Sequence, residues 1–333
     1  WRIGWVSGPA DLISGVSAVK TYLSHSAAAP LQKAVAAGLR DLQTIYWMAR
    51  YLERAENTAR LVAVHSELRL DRPDRAGFFW EPVLAITGTL EDFRGRGLQQ
   101  TEREATNFLL SDLQNPSSLL ASSAYARENI RTLMEILPRE SWEAVNGLHQ
   151  AAARPGAGAP HQRDVHLREI IGRSQAMAGL FLGAMNDDAG YALLRLGRTV
   201  ERSNFTVQVL EDALARIGDG AGDMQALWAA EWVGVLKSLT AYQMYRRSLR
   251  GPVTRAGVSR FLIFSQVFPR ALVYCVGEIG QALTRLPDPG AATGIVARLS
   301  SELAAVEKAG PDAARTLRAR GALPGPTRGE HTA

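Results

Sequence analysis

A nine-residue segment of this chain occurs twice. Tyr46-Trp47-Met48-Ala49-Arg50-Tyr51-Leu52-Glu53-Arg54 returns as Leu194-Arg195-Leu196-Gly197-Arg198-Thr199-Val200-Glu201-Arg202, 148 residues later. Arg50, Glu53, Arg54 and Thr58 recur as Arg198, Glu201, Arg202 and Thr206. Their neighbours drift: Tyr51 against Thr199, Glu56 against Asn204, Asn57 against Phe205, Arg60 against Gln208. Self-similarity of this kind constrains architecture more tightly than composition does, because each copy has to build the same local unit.

The repeated unit reads as a helix. Ile45, Met48, Leu52, Ala55, Ala59 and Val62 are spaced 3, 4, 3, 4, 3, a narrow apolar seam. The second copy repeats it as Leu193, Leu196, Val200, Ser203, Val207 and Leu210. Small residues in the seam (Ala55, Ala59, Ser203) predict a close approach of two helices. The first long helix starts at Asp41 and ends at Asp71-Arg72-Pro73-Asp74. A short helix follows over 78–87. Asn115-Pro116 opens another that runs to about 137, with Pro in its first turn. Pro138 breaks that helix, and 139–152 is helical again. Arg154-Pro155-Gly156-Ala157-Gly158-Ala159-Pro160 reads as a linker and 163–185 as a helix. Asn186-Asp187-Asp188 caps the second copy, which Gly218-Asp219-Gly220 ends.

The echo continues beyond the first helix of each copy. Trp80-Glu81-Pro82-Val83-Leu84 matches Trp232-Val233-Gly234-Val235-Leu236, Phe108-Leu109-Leu110 matches Phe261-Leu262-Ile263, and Pro116 matches Pro269. No alternating strand pattern emerges. The expected fold is all-α, a helical bundle built from two duplicated halves related by approximate internal two-fold symmetry. The halves span about 38–152 and 163–290 of a helical domain over 38–309. Residues 1–37, with no sustained period, form an extension or the remnant of a preceding domain. The Pro-, Gly- and Arg-rich 310–333 form a disordered tail.

Bulk properties narrow the function classes. Cys275 stands alone, which excludes an intramolecular disulfide and a cysteine metal cluster and suits a reducing cytoplasm. The formal charge of +5 comes from 38 Lys+Arg mixed among 33 Asp+Glu, not from the basic stripe a nucleic-acid groove requires, so nucleic acid is not the expected partner. No uncharged run reaches the ~18 residues of a spanning helix, so no membrane role is expected. The start does not resemble a signal peptide. A first residue of Trp rather than Met suggests a truncation, a processed chain or one end of a fusion.

Arg50, Glu53 and Arg54 stand at i, i+3, i+4 and so share one helix face, as do Arg198, Glu201 and Arg202. The seam's heptad register puts them on the side away from the seam, with Tyr46, Trp47 and Leu61. Three readings are open. The charges can form local salt bridges on a solvated face. They can form a partly buried network joining the two copies, with Glu53 to Arg202 and Glu201 to Arg54 across a pseudo-dyad, since arginine's planar fork holds a carboxylate with two bonds. Or the surplus of four arginines over two glutamates can bind an anion, a carboxylate or phosphate.

Other chemistry is sparse. Arg127-Glu128-Asn129 and Trp142-Glu143-Ala144-Val145-Asn146 bracket Pro138. They fit helix ends and packing, with Trp142 as a core anchor, or else a carboxylate pair of Glu128 and Glu143 as acid and base. The six histidines, His161 and His166 included, have no ligand spacing, and no metal site is expected. There is no Gly-rich phosphate loop and no nucleophile elbow, and no cofactor is expected. Residues 242–250 are aromatic and basic, which suits a packed face with a basic rim better than a nucleic-acid surface.

Taken together these motifs resemble the alpha-E family, a bacterial all-helical domain named for its Glu-Arg motif. The resemblance covers roughly residues 39–308. It rests on residues 46–61, on Asn115-Pro116-Ser117-Ser118, on the segments at Arg127 and Trp142, and on Leu194 to Arg202. It implies association with two neighbours, a circularly permuted ATP-grasp protein and a transglutaminase-like cysteine peptidase, in a system that forms or cleaves amide bonds of a peptide substrate. It implies no reaction for the domain itself. The chain departs from the family pattern at Gln43-Thr44, where Glu-Asn is usual, and at Ser203-Asn204-Phe205, where Ala and an acidic residue are common. The expected function is a non-catalytic helical partner or scaffold. The alternatives are an amide hydrolase or transferase using Glu53 or Glu128 as base, and an anion- or nucleic-acid-binding module.

Overall fold

A computed structural model describes residues 29–71, 78–154, 160–217, 224–287 and 289–309, and these form helices and no strand. The first long helix, α1 (Ala29–Asp71), is followed by the short α2 (Glu81–Ile86), α3 (Leu90–Gly95) and α4 (Glu102–Leu110). A helical pair, α5 (Leu119–Thr132) and α6 (Glu140–Ala153), leads to α7 (Pro160–Ala184) and to the second long helix, α8 (Ala189–Arg216). Then come α9 (Met224–Ser238), α10 (Tyr242–Ser248), α11 (Arg255–Phe264), α12 (Leu272–Leu283) and α13 (Gly290–Ala309). The chain divides into two compact units, 1–43 and 44–333. All the packing that follows lies within the second. No described helix is long and apolar enough to cross a membrane.

Capping fixes several starts. Thr101, Ser118, Asp188 and Thr254 each accept a backbone N–H three residues on, at 3.1–3.2 Å, satisfying a donor that the first helical turn leaves free. Asp188 therefore does what the Asn-Asp-Asp run suggests. Pro116 does not open a helix. It sits in a turn closed by Ser118 N–H on the Asn115 carbonyl at 2.9 Å, and α5 begins after Ser118. Asn115 is buried there, with its amide donating to the Phe108 carbonyl at 2.9 Å. Pro269 lies in the matching turn ahead of α12, where Ala271 N–H bonds the Phe268 carbonyl at 2.9 Å.

In α1, Ile45, Met48, Leu52, Ala55, Ala59 and Val62 are all buried, but so are Ala49, Glu53, Glu56, Asn57, Thr58, Arg60 and Leu61. The helix is enclosed on nearly every side from residue 52 to 63, so a one-sided seam understates its burial. In α8 the expected seam holds only at Leu210, which is buried. Leu193, Leu196, Val200, Ser203 and Val207 are only half-buried. The buried set is instead Leu194, Gly197, Glu201, Phe205, Val209 and Ala213, rotated toward α1 and α12. Around this pair, α12 packs on α8 and α13, α5 on α6, α6 on α7, and α2 on α8. Trp80 and Trp232 fill the core, each 1 % exposed.

Helix α1 begins at Ala29, inside the stretch that shows no period in sequence. The proposed linker's 155–159, the Gly218-Asp219-Gly220 stop, the turn after Asp71, residues 1–28 and the tail 310–333 lie outside the described residues.

Candidate functional site

The repeated charges meet at the contact between α1 and α8. Glu53 of α1 accepts from Arg202 of α8, with Nε and Nη2 both at 3.0 Å, and more loosely from Arg198 at 3.4 Å. Reciprocally, Glu201 of α8 accepts from Arg54 of α1, Nε at 2.7 Å and Nη2 at 3.1 Å, and from Arg50 Nε at 2.8 Å. These pairs are 145 to 151 positions apart in sequence. A similar offset recurs earlier, where Gly190 lies against Ile45 and Gly197 against Tyr46, and later, where Leu61 and Leu68 line one cavity with Val209 and Arg216, so α1 and α8 run parallel and in register.

What allows this is a close approach one turn earlier. A Cβ on Gly197 would overlap the backbone carbonyl oxygen of Tyr46 and sit 3.1 Å from the Cβ of Ala49. Glycine lets the backbones touch there, and the guanidinium arms then span the cleft to the opposite carboxylate. The motif therefore lies at the interhelical contact, not on a remote polar face.

The Glu53 side chain has no exposed surface and that of Glu201 is 7 % exposed. Burial alone would raise the Glu53 pKa, but Arg202, Arg270 and Arg198 outweigh it and hold the carboxyl well below the usual carboxylate range. At Glu201 burial is likewise overcome, by Arg54 and Arg50. Both carboxylates are thus charged at neutral pH, each held by two-pronged arginine bonds.

Arg270 has no echo in the repeat. Standing just before α12, it places Nη2 3.1 Å from a Glu53 carboxylate oxygen as an ion pair and donates Nη1 to the side-chain oxygen of Asn57 at 2.9 Å. It lies 3.7 Å from Glu56, which also accepts from Arg60 at 2.5 Å. Thr206 fixes the turn through its hydroxyl on the Arg270 carbonyl at 3.0 Å. Burial pulls the Arg270 pKa down against the attraction of Glu53. Sequence reasoning missed this partner, 217 residues from Glu53. A signal did exist: Glu56, Asn57 and Arg60, which surround Arg270, are the positions that drift to Asn204, Phe205 and Gln208 in the second copy.

The outer side of the Arg50–Arg54 pair is aromatic. The Arg50 guanidinium lies 5.8 Å from the Tyr46 ring centroid and 5.0 Å from that of Trp47, and Arg54 lies 5.7 Å from that of Tyr51. Trp47 stacks on Tyr51 at 6.0 Å, and Tyr51 meets Tyr125 of α5 at 5.1 Å.

The remaining candidates stand elsewhere. Arg127 lies over Trp142 at 5.0 Å and donates to Asn146 at 2.6 Å, binding α5 to α6. Trp142 is partly buried against the core. Glu128 and Glu143 are exposed, and Glu128 accepts from Arg131 on its own helix at 2.5 Å. The backbone carbonyl of Asn129 receives the Thr132 hydroxyl at 2.9 Å. In α10, Tyr245 is buried while Arg246 and Arg247 are exposed. No group of three metal-ligating side chains gathers among the described residues. A cavity of about 40 Å³ between α1, α2, α8 and α9 has room for ordered water rather than for a substrate.

A buried carboxylate held ionised by three arginines has no proton to give and no access to a substrate. The chemistry available to this cluster is adhesion between helices, plus whatever the arginines' outward faces can bind.

A family model matching residues 40–318 describes a predicted alpha-helical domain with a conserved ER motif. An uncharacterized protein of Mycobacterium bovis is 26% identical over 270 residues, 74% of this chain and 30% of the relative. Uncharacterized proteins of Mycobacterium tuberculosis match to the same extent. The chain thus spans about a third of the length of these curated relatives. A 39-residue stretch is 59% identical to a probable N-succinyldiaminopimelate aminotransferase of M. tuberculosis, covering 12% of this chain and 10% of that protein. No solved structure matches the chain.

Proposed function

We propose that this chain, which belongs to the Alpha-E family, is a non-catalytic helical partner whose two Glu-Arg segments clamp duplicated halves together. The observation that carries this reading is the crossed pairing of buried glutamates, Glu53 to the arginines of α8 and Glu201 to those of α1. An internal two-fold relation accounts for it economically. Ala49 faces its counterpart Gly197. Thr101 and Thr254, 153 positions apart, both cap helices. Trp80 and Trp232 are buried alike.

In this reading the working surface lies outside the clamp. The partners are those the resemblance implies, a circularly permuted ATP-grasp ligase and a transglutaminase-like peptidase acting in the cytoplasm on amide bonds of a peptide. Burial of Glu53 argues against the rival amide hydrolase in the form that uses Glu53 as base; its other form uses Glu128, which is exposed and bonded to Arg131 of its own helix. The test is mass photometry of the purified chain mixed with the ligase and peptidase encoded beside it. A stoichiometric complex with either supports the proposal. Three separate species at micromolar concentration overturn it.

A further inference from the structure

We propose that the face formed by Tyr46, Trp47, Arg50, Tyr51 and Arg54 of α1 with Tyr125 of α5 binds the carboxylate of an acidic peptide segment. This deepens the reading of the chain as a binding partner and rests on it.

Charge is the first argument. Arg50 and Arg54 share one carboxylate, that of Glu201. Arg50 gives Nε to Glu201 and a long 3.4 Å contact from Nη1 to the Tyr46 hydroxyl. Arg54 gives Nε and Nη2. A guanidinium carries five N–H donors, and Arg50 Nη2 and Arg54 Nη1 donate to no described residue. The two side chains keep 14% and 23% of their surface exposed.

Preorganisation is the second. Stacking on Tyr46, Trp47 and Tyr51 and bonding to Glu201 fix both guanidinium groups before any ligand arrives, which lowers the entropy cost of binding. The rings, half-buried or exposed, run as a row beside the cations, with Tyr46 edge-on to Trp47, Trp47 stacked on Tyr51 and Tyr51 tilted against Tyr125. Aromatic and arginine side chains in this mixture are the residues that dominate binding hot spots.

The opposite side of the clamp supplies an internal control. Glu53 faces three arginines, and the third, Arg270, is buried. Where the first copy has Trp47, the second has Arg195, whose guanidinium is closed by Glu278 of α12 at 2.5 Å. Glu278 stands 153 positions after Tyr125. Arg198 Nη1 and Arg202 Nη1 also donate to no described residue, so what sets the Arg50–Arg54 rim apart is its aromatic surround, where the other rim carries the Arg195–Glu278 ion pair and the buried Arg270.

A net excess of one charge on the open side matches a single carboxylate better than a phosphate dianion. The row of rings offers aromatic surface for a peptide chain to pack against.

The probe is fluorescein-labelled hexaglutamate, titrated by fluorescence anisotropy with the whole chain at low salt. Saturable binding is expected. Trp47→Ala and Tyr125→Ala, which leave the clamp bonds intact, weaken it at least about fivefold without a matching fall in Tm. Arg246→Gln with Arg247→Gln on α10 leaves it unchanged, and unlabelled peptide competes where equimolar inorganic phosphate does not. Absence of saturable binding overturns the proposal. So does equal competition by phosphate, and so does a loss produced by the α10 variant but not by Trp47→Ala or Tyr125→Ala. Peptide binding is read without the ligase present, so its failure beside an intact ligase complex removes this inference alone.

Discussion

Replacing Glu53 by Gln should be among the most destabilising isosteric changes in this protein. The amide keeps the shape of the carboxylate, so what changes is charge. Glu53 is ion-paired with Arg202, Arg198 and Arg270, and its side chain is fully buried. Removing its charge leaves three cations facing one another with Glu56 as the nearest anion. Breaking a buried ion pair from one side costs about 3–5 kcal/mol. Glu201→Gln provides the calibration. Its two arginines keep 14% and 23% of their surface in solvent, much as Arg198 and Arg202 keep 25% and 21%, but Glu201 has no counterpart of Arg270, which is 7% exposed and would lose its nearer carboxylate in Glu53→Gln. The cost there should be about half as large, roughly 2 kcal/mol. Urea unfolding at pH 7, followed by far-UV circular dichroism, gives both values from midpoints at constant slope. Equal losses for the two variants, or a loss below about 1 kcal/mol for Glu53→Gln, would refute the claim that burial and the third arginine distinguish the two carboxylates.

Acid should weaken the same contact. Both carboxyls have folded pKa values depressed below the ordinary value of 4.5. Their stabilisation is therefore complete above about pH 5 and is lost progressively as pH falls below 4.5 toward the folded values. Urea midpoints measured from pH 7 to pH 3 should decline in that window, and should decline less in Glu53→Gln. Gly197→Ala should force α1 and α8 apart, because the added carbon overlaps the Tyr46 carbonyl oxygen. A loss of about 1–3 kcal/mol is expected, seen as a lower Tm, although alanine is the better helix former. Cys275 is buried and its thiol pKa is pushed up to about 12, chiefly by burial. A thiol reagent at pH 8 should label it slowly in the native protein and rapidly in urea.

How much of this was legible depended on where the repeat reached. The 148-residue offset marks α1 and α8 as copies, and the pairs Glu53–Arg202 and Glu201–Arg54 are one of the three readings it leaves open; the parallel direction of the two helices is not in the offset. The orientation was not legible. Apolar periodicity assigns a helix one buried face, and α1 has two, because ionised groups can be buried when they neutralise one another. The seam thus pointed the motif away from the contact at which it sits. In α8 the same apolar spacing marks a half-buried flank, since Gly197 and Glu201 turn the helix toward α1. Arg270 was out of reach because it comes from a turn, where no period signals direction. Pro116 and Pro269 read as helix starts from their sequence alone, but each sits in the turn that precedes its helix.

The account's central claim is that each glutamate is paired across the two helices and not along its own. A double-mutant cycle tests this most directly. Glu53→Gln and Arg202→Gln, alone and combined, should give a coupling energy of about 2 kcal/mol or more. The control cycle of Glu53→Gln with Arg54→Gln, neighbours on α1 with no bond between them, should give less than about 0.5 kcal/mol. A larger coupling along α1 than between α1 and α8 would contradict the account.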